Sequence, residues 1–292
     1  MNSSFGTRLS AKLTLCNIVR FICADLLNQN YYLSPFIEHN KVKMIRQEDV
    51  TIILKDGENI KYNRKDYLNF HQELSSKDRE ITILHQNKPV FDVTVPKGVF
   101  NPYGGIAAQA FMSGILSGIV DVKGKRVLDL GCGSGVIGLC CIRKDCQKVV
   151  FSDLHPNITM LAEHPLIRPQ DKVKVQDLCA GEQDNSYDLV FMPFPSRSIE
   201  RPIDPSSYEM GILRNDDLVF RAIEDVGRVL SSQGEFVFFY RVFNDRFPLY
   251  LEVMSKLAEN FDLTTLKLLW YSGETTGHGL LINCAAKNYN AM

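Results

Sequence analysis

The 292-residue chain has no C-x-x-C pair, no marked excess of charge, no apolar run of membrane length, and no internal repeat or low-complexity tract. Each lack removes a class of protein. Cysteines stand at 16, 23, 132, 140, 141, 146, 179 and 284, several within apolar runs where a free thiol behaves as a small hydrophobe. Without paired spacing there is no disulfide framework, and a reducing, cytoplasmic setting is expected. No metal is expected either, because helical spacing turns Cys140 and Cys141 in different directions and no histidine falls in ligand register. A net charge of -1 provides no broad basic field to draw the chain onto nucleic acid. Nothing reaches the ~18 consecutive apolar residues of a transmembrane helix. The opening "MNSSFGTRLSAKLTLCNIVRFICADLL" has the look of a signal peptide, but Asn17, Arg20 and Asp25 interrupt it at helical intervals, so an amphipathic helix is expected.

What is present changes character around Pro96 to Gly105. Before that point, "VTIILKDGENIKYN" predicts a hairpin with a Lys-Asp-Gly-Glu turn, and "REITILHQNKPVFDVTV" a second strand pair turning at His85 to Lys88. "KDYLNFHQELSS" between them has the spacing of a short helix. The basic groups Lys41, Lys43, Arg46 and Lys61, Arg64, Lys65 are interleaved with acids and read as solvated faces. After Gly105, strand and helix alternate. "RVLDL", "KVVFS", "KVKVQ", "YDLVF" and "GEFVFFY" are strands, and "IAAQAFMSGILSGIV", the run from Gly135, and "DDLVFRAIEDVGRVL" are helices. That alternation predicts an α/β fold, a mostly parallel sheet wound with helices. A helix "PLYLEVMSKLAEN" follows. The last strands, "LTTLKLLW" and "GLLINCAA", are joined by too short a turn for a parallel crossover and should be antiparallel. Two units are expected, 1–98 and 99–292.

The stretch "VLDLGCGSGVIGLCC" carries two overlapping glycine patterns. From Gly133 it spells G-x-G-x-x-G, the dinucleotide fingerprint; from Asp129 it spells D-x-G-x-G-x-G. In a dinucleotide site the first glycine closes the strand directly, so that pyrophosphate rests on the helix N-terminus. Here an acid and an extra glycine come first. Asp129 would repel a pyrophosphate and attract an ammonium. Asp153, ending the next strand, suits two ribose hydroxyls and fits both readings, whereas Asp177 with Leu178 stands where the second reading would place an acid facing an adenine amino group.

At these three acids and the glycines between them, the sequence resembles the class I S-adenosylmethionine-dependent methyltransferases, from Val99 to the end of the chain. The flanks "FDVTVPKGVFNPYGG" and "YEMGILRNDDLVFRAIEDVGRVLSSQGEFVFF" are similar to the small-domain subgroup, which includes release-factor glutamine and ribosomal-RNA guanine-N2 methyltransferases. The resemblance implies a Rossmann-like sheet of seven strands ending in an antiparallel hairpin, with a smaller amino-terminal α+β segment. It implies S-adenosyl-L-methionine as cofactor, held by Asp129, Gly131, Cys132, Gly133, Gly135, Asp153, Leu154, Asp177, Leu178 and Met192. The segment Phe100 to Gly105 would fold over it.

Class I enzymes acting on planar or amide nitrogens commonly carry [D/N]-P-P-[Y/F/W] after strand four. Here "MPFP" replaces it: Met192 stands where the amide-holding residue would be, and Phe194 lies between Pro193 and Pro195. The prolines stiffen the loop and Phe194 can stack on a flat acceptor. Tyr103, Pro193, Phe194, Pro195 and Arg197 are the expected acceptor contacts. Tyr240 and Phe194 are the expected catalytic residues, with His155 a weaker candidate base. Residues 1–98 would be a substrate-recognition lid or a dimer arm. The acceptor is a small molecule or a peptide or protein group, methylated at nitrogen or oxygen. A nucleic-acid base and a non-catalytic, cofactor-binding partner protein are the competing readings.

Overall fold

The computed structural model describes residues 43–46, 50–58, 60, 66–195, 197–199, 201–214, 217–240, 253, 256–257, 261–273 and 277–286. The expected amino-terminal helix, the second limb of the first hairpin and most of the helix expected at 248–260 lie outside them.

In chain order the strands are β1 (Lys43–Arg46), β2 (Val50–Leu54), β3 (Arg79–His85), β4 (Lys88–Val95), β5 (Arg126–Leu130), β6 (Lys148–Asp153), β7 (Lys172–Val175) and β8 (Tyr187–Pro193). They continue as β9 (Arg197–Ser198), β10 (Leu213–Arg214), β11 (Leu230–Tyr240), β12 (Phe261–Gly273) and β13 (Gly277–Ala286). The α-helices are α1 (Tyr67–Leu74), α2 (Ile106–Leu116), α3 (Val136–Arg143) and α4 (Asp217–Val229). Two 3-10 helices cover Pro156–Glu163 and Tyr208–Gly211.

Eight strands make the main sheet, in the order β1-β12-β13-β11-β8-β5-β6-β7. Strands β11, β8, β5, β6 and β7 run parallel to one another, and β13 is antiparallel to both β11 and β12, the latter as the short terminal turn requires. The eighth strand was not expected. It is β1, taken from a segment read as a solvated basic face, lying parallel to β12 with Lys43 opposite Leu269.

Central β5 has a neighbour on each side, and its Val127, Leu128 and Leu130 are all buried, which explains a near-continuous apolar strand. From β5 the chain winds outward through β6 and β7, then returns to the other side of β5 as β8. Open α/β sheets hold their ligands at such a reversal, outside the carboxyl ends of the strands.

Strands β2, β3 and β4 form a separate antiparallel sheet. Strand β2 pairs with β3, Val50 opposite His85. The β3–β4 turn falls where expected, with Gln86 and Asn87 at φ 50° and 61°, the left-handed pair of a type I′ turn. Alternation puts Val50, Ile52, Leu54, Ile81, Ile83, Val93 and Val95 on the inner face, where they share one core with α2 and α3.

Candidate functional site

A pocket opens at the carboxyl ends of β5, β6 and β8. Its walls include Gly131 to Ser134, Ser152 to His155, Gln176 to Leu178, and Met192 to Pro195. Val99, Phe100, Pro102, Gly104 to Ala108, Ser207, Met210, Gly211, Leu218, Phe239 and Tyr67 complete the lining.

The glycine loop is fixed by main-chain bonds. Gly131 and Cys132 donate to the Ser152 carbonyl at 2.7 and 3.0 Å, and Gly135 donates to that of Cys132 at 2.8 Å. Gly135 then starts α3 at φ 74°. A side chain there would be strained, and its Cβ would fall 2.7 Å from Leu161. Gly138, one turn on, lies directly against the Phe151 ring. The third glycine of the dinucleotide pattern is therefore accounted for by helix-to-strand packing.

Because Gly135 has no side chain to cap α3, the cap comes from β5. Asp129 Oδ2 accepts from the Gly138 N–H at 2.8 Å, in the first turn, where the helix dipole favours negative charge. Asp129 is fully buried, and its Oδ1 has no hydrogen-bond partner; of the residues expected to hold the cofactor, it and Gly135 lie behind the pocket wall rather than on it. Burial, against the Gly138 bond and helped by nearby Asp153, pushes its carboxyl up to about 7.

Asp153 is held differently. Its Oδ2 accepts from the Gly133 N–H at 2.8 Å and its Oδ1 from the His155 N–H at 2.9 Å, while the residue remains on the pocket wall. Each oxygen keeps a lone pair for another donor. Leu178, at φ 47°, has its carbonyl held by Ser152 Oγ at 3.0 Å, which fixes the loop carrying Asp177. Asp177 is about half exposed and paired with Arg221 at 2.9 Å.

Met192 and Phe194 are buried at the end of β8. The Phe194 ring meets Phe238 edge-on at 5.8 Å and Phe236 at 6.5 Å. Tyr103 is not on the pocket wall; its ring packs 6.4 Å from Phe70. Arg197 and Tyr240 occupy β9 and the end of β11, but their side chains lie outside the described residues. His155 is buried with both ring nitrogens engaged, by Asn157 N–H and the Ser206 carbonyl. That leaves it no lone pair for a substrate proton. Tyr67, Met210, Leu218 and Phe239 also line the pocket. No local pattern marks them, since each comes from an element placed by long-range packing.

Residues 106–263, just over half of the chain, match the family described as "Methyltransferase small domain". The chain belongs to the methyltransferase small-domain family. Over 49 residues it is 41% identical to a Methanocaldococcus jannaschii protein provisionally named a protein N5-glutamine methyltransferase, covering 17% of this chain and 25% of that one. The protein SMU.776, provisionally described as a methyltransferase and solved in complex with SAH, shares the fold at a TM-score of 0.50 and 13% identity. That likeness covers 70% of this chain and 56% of the other. The chain thus spans a quarter of the first relative and little more than half of the second. The small-domain match begins at Ile106, the first residue of α2, and takes in every strand of the sheet from β5 to β11. No helix among the described residues is long and apolar enough to cross a membrane.

Proposed function

We propose that the protein transfers a methyl group from S-adenosyl-L-methionine to a nitrogen or oxygen of a peptide, protein or small-molecule acceptor. The observation that carries this reading is the Asp153 carboxylate, fixed by two main-chain N–H groups beside the Gly131–Gly135 loop and open to the pocket. Its free lone pairs suit the paired hydroxyls of a ribose. Asp129, with one oxygen buried and unpartnered, suits an ammonium or a water held by one. A pyrophosphate in the same loop would meet the Asp153 carboxylate, with Asp129 buried close behind it, and no lysine or arginine among the described residues of the wall.

When bound, the cofactor supplies an electrophilic methyl carbon: its bond to sulfur breaks, sulfur keeps the electron pair, and the acceptor gains the methyl and sheds a proton. The chain's task is to align the acceptor and exclude water. Met192, Pro193, Phe194 and Pro195 form the proposed acceptor wall, together with Tyr67, Met210 and Leu218; uncharged, it favours a neutral group. Arg197 is the proposed contact to the remainder of the acceptor, and Tyr240 the proposed proton acceptor. The short glutamine-methyltransferase match supports a peptide or protein acceptor. Residues 1–98, which contribute Tyr67, are the proposed substrate-recognition unit.

Calorimetry tests the cofactor. S-adenosylhomocysteine should bind and NAD should not; comparable or tighter NAD binding would refute the reading. Asp153→Ala should weaken S-adenosylhomocysteine by about 1–3 kcal/mol, the worth of hydrogen bonds to a charged acceptor. An unchanged affinity in a folded variant would place the ribose contact elsewhere. Tritiated S-adenosylmethionine offered with peptides and cell metabolites then identifies the acceptor class.

A further inference from the structure

His155 stands two residues after the proposed ribose acid and ties it to the turn that carries Ser206. Its N–H donates to Asp153 Oδ1 at 2.9 Å. Its Nδ1 accepts from the Asn157 N–H at 3.1 Å, capping the Pro156–Glu163 helix. Because Nδ1 is an acceptor, the ring hydrogen of the neutral imidazole is on Nε2, which donates to the Ser206 carbonyl at 2.9 Å.

Ser206 opens a compact turn. Asp204 Oδ1 accepts from Ser206 N–H, Ser207 Oγ caps Glu209 N–H at 3.2 Å, and the Met210 and Ile212 amides donate to the Ser207 and Glu209 carbonyls. The turn presents Ser207, Met210 and Gly211 to the pocket. Gly211 lies directly against Phe100, which also lines the pocket. The same junction receives Gly98. At φ 82°, its missing Cβ would fall 3.0 Å from the Ser206 carbonyl oxygen and 3.1 Å from His155 Nε2. Asn157 Nδ2 donates to the Lys97 carbonyl at 3.0 Å beside it. Three segments far apart in the chain thus meet at one imidazole.

We propose that His155 is a positioning residue: by holding the Ser206 carbonyl it sets the 204–212 turn, and with it Met210, over the acceptor end of the pocket. The assignment rests on the methyltransferase reading of that pocket. It gives the buried histidine a role that general-base catalysis cannot, since neither nitrogen is available.

Two conservative variants separate the tie from simple folding. Asparagine places an amide oxygen near the position of Nδ1, so His155→Asn keeps the helix cap and loses the bond to Ser206. Glutamine carries an N–H to about the reach of Nε2, so His155→Gln restores that bond. Hydrogen exchange at the Met210 and Ile212 amides should be ~5- to 10-fold faster in His155→Asn, and within ~3-fold of wild type in His155→Gln, the effect of one neutral hydrogen bond. S-adenosylhomocysteine affinity, measured on the same samples, should stay within ~3-fold, because the cofactor's own contacts are intact. Equal exchange in the two variants, or a change confined to the 156–163 helix, would overturn the positioning role. Failure of the wild type to bind S-adenosylhomocysteine would instead remove the reading beneath it.

Discussion

Asp129→Asn is expected to stabilise the ligand-free protein above pH 7 while weakening S-adenosylhomocysteine. The carboxyl is fully buried, with one oxygen on the Gly138 N–H and the other unpartnered, and its folded-state value is pushed up from 3.8 to about 7. A carboxyl raised by folding helps stability below its unfolded value and loses that contribution as pH rises through the folded one. Between about pH 4 and 7 the native state therefore holds a proton the unfolded chain has released, and stability falls; above 7 the loss is complete. The shift sets an upper bound of about 4 kcal/mol. Asparagine keeps the acceptor for Gly138 and cannot ionise, so its advantage should be absent near pH 4, grow to about 1–3 kcal/mol by pH 8, and then level off. Urea unfolding at pH 4.5, 6 and 8 measures this. The same substitution removes the charge proposed to meet the cofactor's ammonium, and S-adenosylhomocysteine should weaken by about 1.5–3 kcal/mol. Parallel stability curves would show that the site is wetter than the structure has it, and an unchanged dissociation constant would leave Asp129 as a helix cap alone.

The capping role of Asp129 is not legible in the sequence, although the motif around it is. The alternation of apolar residues, the acid closing β5 and the glycines after it are local signals, and they place β5 at Arg126–Leu130 and the start of α3 after Gly135 where the pattern puts them. The turn at Gln86 and Asn87 is legible for the same reason, because two adjacent residues determine its geometry. The capping bond from Asp129 to Gly138 requires the helix to fold back beside its own strand, which spacing alone does not reveal. Longer-range features had no local signal at all. Strand β1 finds its partner in β12 near the other end of the chain, and Tyr67 reaches the pocket from α1. His155 looks like a candidate base in sequence because histidine titrates near neutrality; only the bonds to Asn157 and Ser206 show that both nitrogens are used. The acid-and-glycine part of the site is thus readable from short motifs, whereas the acceptor end is assembled by packing.

Phe194 is where packing bears most on an acceptor proposal. As a stacking platform between two prolines it would touch only the acceptor, and Phe194→Ala would lower turnover without other effect. In the structure the ring is 6% exposed and set edge-on against Phe236 and Phe238, in a core that also contains Val219, Ile223 and Phe261. Truncation to alanine should therefore cost about 3–5 kcal/mol through the cavity it leaves. Equilibrium urea unfolding would read that loss directly, and any fall in turnover would be inseparable from it. Phe194→Leu is the discriminating variant. Leucine refills most of the volume at a cost expected to be under about 1.5 kcal/mol, yet it has no aromatic face. If the pocket-facing edge of the ring positions the acceptor, single-turnover methyl transfer to an acceptor from the peptide and metabolite screen should fall about tenfold in Phe194→Leu, with S-adenosylhomocysteine affinity unchanged. Wild-type transfer in Phe194→Leu, beside a large stability loss in Phe194→Ala, would make Phe194 a core residue that happens to border the pocket and move acceptor recognition to Tyr67 and Met210, which also line it.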